Sequence, residues 1–197
     1  MRAKPVQCLL LLTLGLCTIA LSGCAGNGAI TGALEAAGLR RPAEVPDLHK
    51  APRTISIRLH ASGKLNVDAQ GRALALVTRI YKLRQSAAFE QAPYDTFLSA
   101  QKEKDAFGAD LLEVKEVILV PGQRYEVLEK VSREAYFVGV VALFHAPAAQ
   151  RWRLAFGAAE AEKTGMTIGA HACALTVGGS SVQVARYATM RSPAHCQ

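Results

Sequence analysis

The residues with the clearest chemical purpose are Leu21-Ser22-Gly23-Cys24, which close an apolar run near the start of the chain. Two small residues before a cysteine, at the end of a leader, form a bacterial lipobox. Arg2 and Lys4 supply a basic start, and Val6–Leu21 is apolar apart from Gln7, Thr13, Gly15 and Thr18. Such a segment is too short and too weakly flanked to remain as a membrane span. The expected chemistry is diacylation of the Cys24 thiol, cleavage before Cys24, and acylation of the freed amino group. Several acyl chains on one residue hold a bilayer far more firmly than one. The plainer alternative is an ordinary secretory leader with a chance cysteine. Ala25 follows, not the Asp that resembles an inner-membrane retention signal. The expected location is therefore the outer membrane, with a domain facing the periplasm.

Little else in the sequence is arranged for catalysis. There is no Gly-x-Ser-x-Gly elbow, no phosphate-cradling glycine loop and no His-Glu-x-x-His. His171 and Cys173 are expected to share one face of a strand, but two ligands fall short of the four or so of a structural zinc site. Glu113, Glu116, Asp105 and Asp110 are expected on solvated faces, whereas glycoside hydrolysis needs two carboxylates across a cleft. Trp152 is expected in the core. Once Cys8 and Cys17 leave with the leader and Cys24 carries lipid, Cys173 and Cys196 remain. An even pair in an oxidising compartment suggests a disulfide pinning the C-terminal tail to a strand; the alternative is two thiols, with Cys173 buried as a small apolar residue. The reading is of a non-enzyme with no metal and no cofactor beyond the covalent lipid.

Size and charge agree with that reading. The chain has 197 residues and a net charge of +7. Removing residues 1–23 takes two basic residues and leaves a length suited to one domain. Its basic residues are scattered, and no basic stripe alternates with exposed aromatics, so nucleic acid is a poor candidate partner.

Residues 24–53 are rich in Gly, Ala and Pro and are expected to form a tether. The domain is expected over residues 54–185, with a tail over 186–197. Ile55, Ile57 and Leu59 alternate with polar residues as a half-buried strand does. A second strand is expected over Leu74–Leu83. Short helices follow, one over Ser86–Gln91 and one after Pro93, where Tyr94, Phe97 and Leu98 would face the core and Gln101–Asp105 would be a solvated end. Further strands are expected over Val114–Val120, Arg124–Val131 (after the Pro121-Gly122 turn), Tyr136–Phe144, Trp152–Phe156, Thr167–Val177 and Ser181–Val184. Eight strands with one helical insert after the second argue a mainly β protein, an antiparallel two-sheet β-sandwich. The connection Ala61–Arg72 is about a dozen residues long where hairpin loops usually run about 2–5, and loops of that length are often functional. Lys64, Asp68 and Arg72 could make directed polar contacts there, and Leu65 and Val67 could insert into a partner.

Several motifs then fall in order. Leu65-Asn66-Val67-Asp68, Gly71-Arg72 and Val77-Thr78-Arg79-Ile80-Tyr81-Lys82-Leu83 come first. Phe89 with Tyr94–Leu98, Leu111-Leu112 before Pro121-Gly122, the strand Tyr136–Phe144, and Trp152-Arg153 follow. Together with the lipobox they resemble the type VI secretion lipoprotein family (TssJ, also called VasD/Lip) over residues 54–177. The resemblance implies a transthyretin-like sandwich with a helical insert. It also implies an outer-membrane lipoprotein that docks the periplasmic C-terminal region of the inner-membrane protein TssM through the loop between the first two strands. Lys64, Leu65, Asn66, Asp68, Gly71 and Arg72 are the residues carried over to that loop. Neither nucleic acid nor a small-molecule substrate is expected. Two other readings stay open: an assembly pilotin for another secretion system, and a metal- or glycan-binding sandwich using His171 with His145 or Glu116.

Overall fold

A computed structural model describes residues 46–179, together with Met190 and Cys196. Cys24, the leader and the expected strand Ser181–Val184 lie outside the described residues.

Among the described residues the strands are β1 (Arg53–Ala61), β2 (Leu76–Leu83), β3 (Leu111–Leu119), β4 (Arg124–Val131), β5 (Phe137–Ala142), β6 (Arg153–Gly157), β7 (Met166–Ala170) and β8 (Leu175–Gly178). They form two four-stranded sheets, ordered β4-β1-β7-β8 and β3-β2-β5-β6. The pairing is antiparallel except between β1 and β7, which run parallel from Ile57↔Met166 to Ala61↔Ala170. The two-sheet, predominantly antiparallel sandwich is as expected, with this one parallel pair inside it. That pair is permitted because 104 residues of sandwich and helix separate the two strands, ample for a crossover.

The alternation in β1 does what it predicts: Ile55, Ile57 and Leu59 are buried and face the other sheet. β2 is buried on both faces, because its sheet has a layer on each side. One face meets the first sheet. The other is covered by the insert between β2 and β3, which holds helices α1 (Ala87–Gln91) and α2 (Ala100–Phe107) and a 3-10 turn over Tyr94–Leu98. Here Tyr81 meets Phe89, Phe97 and Phe107 with ring centroids 5.2, 5.8 and 6.5 Å away. Trp152 closes the cluster against Phe97 and Tyr94 at 5.3 and 4.9 Å, and is itself buried. Gly139 on β5 makes this packing possible, since a Cβ there would lie 2.5 Å from Phe89 Cζ.

Three expectations about the insert and its neighbours change. Leu98 is exposed, because the Tyr94–Leu98 turn is 3-10, and its three-residue period turns Phe97 inward and Leu98 outward. The polar end of α2 hides a buried Glu103, which accepts from Tyr81 Oη at 2.7 Å and Arg79 Nη1 at 2.8 Å. Arg79 also donates to the Phe97 carbonyl and to Glu116, so one guanidinium ties the insert to β2 and β3. Finally, Thr167–Val177 is a hairpin, not one strand: β7 and β8 pair around a turn at 171–174. Ahead of it, residues 158–164 form a short helix, α3, that carried no strong apolar period.

The two sheets are also joined at their β3 and β4 edges by charge. Lys82, nearly buried, donates to both carboxylate oxygens of Glu113 at 2.8 Å. It lies 3.6 Å from Glu129 of β4, which also pairs with Lys115. Edge strands left bare invite foreign pairing, and inward-pointing charges are one way of blunting them.

Candidate functional site

The connection that stood out for its length runs over residues 62–75 and sits where β1 and β2 meet the loops 120–123, 143–152 and 171–174. It is fastened there rather than hanging free. Ser62 N–H donates to the Ala170 carbonyl, and Gly122 N–H donates to the Ser62 carbonyl. Asn66 is the centre of the arrangement. Its backbone N–H donates to the His171 carbonyl at 3.0 Å, and its Nδ2 donates to Ala75 at 2.8 Å. Its Oδ1 accepts the His145 backbone N–H at 2.7 Å. Its φ of 46° lies in the left-handed region, which Asn tolerates better than most residues.

Leu65 is fully buried in the core, so it cannot be the apolar anchor that inserts into a partner. The positive φ at Asn66 and the Leu74 N–H bond to the Leu65 carbonyl turn the chain so that Leu65 plugs the end of the sandwich. Asn66 is likewise an interior fastener, not an exposed contact. Val67 is half-buried, with its N–H on the Ala172 carbonyl.

Beyond Val67 the loop turns to solvent and is closed by its own chemistry. Asp68 Oδ1 accepts the backbone N–H groups of Gln70 and Arg72 at 3.0 and 2.9 Å, and Oδ2 accepts Arg72 Nε at 2.7 Å. Gly71, at φ 76°, gives the turn its left-handed step. The Arg72 N–H lowers the Asp68 pKa most, with the Arg72 side chain and Gln70 N–H adding to it and partial desolvation opposing. Lys64 and residues 69–73 are exposed at the tip.

The supporting turn 171–174 carries Cys173, bonded to Cys196 with a Cα separation of 5.7 Å. The Cys173 carbonyl accepts from Ala148 N–H, which ties the 143–152 loop to the same point. His171 therefore lies on a turn and not on a strand face with Cys173. Its Nε2 is 2.9 Å from Thr176 Oγ1, and burial lowers its pKa. Glu116 is held by Arg79, and His145 is exposed. Among the described residues no group of three or more His, Cys, Asp or Glu is placed to hold a metal, and no helix is long and apolar enough to cross a membrane. Glu113 and Glu116 are exposed carboxylates, each engaged by a cation of β2.

Sequence reasoning could not see the fastening by Asn66, because His145 and His171 lie 79 and 105 positions away. The buried Glu103 was hidden for the same reason: its partners are on β2.

Known proteins share this fold. A family model described as "Type VI secretion lipoprotein, VasD, EvfM, TssJ" matches residues 53–173. A chain of a structure described as "Type VI membrane complex" aligns at 27% identity and TM-score 0.59, covering 65% of this chain and 99% of that one. The T6SS lipoprotein TssJ1 from Pseudomonas aeruginosa aligns at 25% identity and TM-score 0.58, covering 66% and 98%. A chain from the structure described as "T6SS protein TssM C-terminal domain (869-1107) from EAEC" aligns at 28% and 0.55, covering 65% and 99%. No curated protein sequence matches the chain significantly.

Proposed function

Because the chain belongs to the type VI secretion lipoprotein family, we propose that it is anchored in the outer membrane by lipid on Cys24 and docks the periplasmic C-terminal region of TssM. In this reading residues 1–23 are a leader, the segment after Cys24 is a tether, and the sandwich is a docking module, not an enzyme. The supporting observation is the loop 62–75. It is long, exposed at its tip, and held by Asn66 to two other loops, so it loses little freedom on binding. Such preorganisation strengthens association. The contact residues are then Lys64, Asp68, Gly71 and Arg72, with Leu65 and Asn66 shaping the loop from within.

Two experiments test this. Full-length chain purified from membranes in detergent is mixed with the cognate TssM region, beside a variant with Asp68→Ala and Arg72→Ala. Binding weakened by about tenfold or more, with unchanged circular dichroism, supports the loop; undiminished binding moves the interface elsewhere. In cells, Cys24→Ser should release the protein from the outer-membrane fraction, and its retention there would end the anchoring claim.

A further inference from the structure

Charge is distributed unevenly along the sandwich. The four connections at the loop end (62–75, 120–123, 143–152 and 171–174) contain Lys64, Arg72 and Arg151 but one carboxylate, Asp68, which Arg72 already engages. Arg124 opens β4 beside them, opposite His60 and next to the Ala61 N–H bond to the Gln123 carbonyl. The connections that leave the other ends of the strands (84–110, 132–136 and 158–165) contain eight carboxylates and five Lys or Arg. Apolar side chains also surface near the basic end. Ile118 and Val120, on the last part of β3 and its turn, are 60% and 51% exposed. The turn they lead into is bonded to Ser62.

We propose that the docking surface is the whole loop end, not the 62–75 loop alone, and that it seats on an acidic protein surface of the partner, with Ile118 and Val120 entering an apolar recess there. This rests on the docking reading above. With Leu65 committed to the core, these two are the exposed large apolar side chains at this end among the described residues. A few residues that become fully buried carry most interface affinity, while rim cations such as Lys64 and Arg124 set encounter rate and salt response. An anionic lipid surface is the other chemistry a basic end could meet. The chain argues against it: β1 begins at the far end of the sandwich, where Arg133 Nε holds the Ala51 carbonyl, so the polypeptide enters opposite the loops.

The test uses full-length chain in detergent, the cognate TssM periplasmic region, and phosphatidylglycerol vesicles. Wild type should lose at least about tenfold in affinity for the TssM region between low and high ionic strength. The double reversal Lys64→Glu/Arg124→Glu should weaken binding about tenfold at low salt and flatten the salt response. Val120→Ser should shorten the lifetime of the complex and leave the salt response intact. Binding that ignores salt and the reversal overturns the proposal while leaving the docking reading standing. So does a reversal that abolishes vesicle capture but spares TssM binding. Wild type that binds nothing at any salt overturns the docking reading itself.

Discussion

Asn66 Oδ1 accepts the backbone N–H of His145 at 2.7 Å, joining the first long loop of the sandwich to one 79 positions later. The same side chain donates to Ala75, so both ends of its amide are used. A side chain employed in this way fixes the shape of a surface without being part of it.

Asn66→Ala removes both side-chain bonds and leaves an Ala at positive φ. The loss should be about 2–3 kcal/mol, from the unpaired His145 N–H and the strained backbone. Asn66→Gly relieves the backbone and should recover part of that loss. Urea midpoints at constant m separate the two variants, and equal midpoints would show that φ plays no part.

Gly139→Ala places a methyl group against the Phe89 ring and should cost about 1–3 kcal/mol by overpacking. Adding Phe89→Leu should return some of it, since the two sites touch. A double-mutant cycle measures the coupling, and strictly additive losses would contradict the contact.

Glu103→Gln leaves Arg79 and Tyr81 facing a neutral amide in a nearly closed site. Because Arg79 retains Glu116 and the Phe97 carbonyl, the expected loss is about 1–3 kcal/mol, below that of an isolated buried pair. Thermal unfolding reports it, and an unchanged midpoint would reduce Glu103 to a spectator.

Asp68 has its pKa lowered from 3.8 by the Arg72 N–H and side chain and the Gln70 N–H. The sign follows from linkage: a depressed carboxylate contributes fully above its unfolded value, and its contribution is lost as pH falls through the folded one. The loop tip should therefore keep its shape at pH 4 and open only in stronger acid. Amide shifts of Gln70 and Arg72 followed by NMR should move together in that window and stay flat in Asp68→Asn.

Reducing the Cys173–Cys196 bond frees a 23-residue separation in the unfolded chain and should cost about 3 kcal/mol. Calorimetry with and without reductant, beside Cys196→Ser, measures it, and a shift seen only with reductant would point to another target.

Much of this fold was legible wherever one periodicity dominated. Ile55, Ile57 and Leu59 alternate cleanly because β1 has one buried face, and the Pro121-Gly122 pair marks a turn by its backbone limits alone. Legibility failed where a distant segment altered the meaning of a residue. Leu65 reads as a loop apolar free to insert, yet it is core because Asn66 folds the chain over it. Glu103 reads as solvated among Lys102, Lys104 and Asp105, yet β2 brings Tyr81 and Arg79 to it. The His171–Cys173 segment reads as strand because nothing local breaks it, and the turn is set by β8 returning to pair with β7.

The parallel pairing of β1 with β7 also fixes an order of events. A chain made from its N-terminus offers β1 first, and β4 can join it once residue 131 has appeared. Its second neighbour arrives only with residues 166–170, and the turn at 171–174 comes later still. Contacts this distant in sequence form slowly. The carbonyls of His171 and Ala172, which hold Asn66 and Val67, are therefore among the last groups to take their places. The loop end is finished last, so a molecule interrupted before residue 175 would lack the turn to which Asn66 and Val67 are fastened.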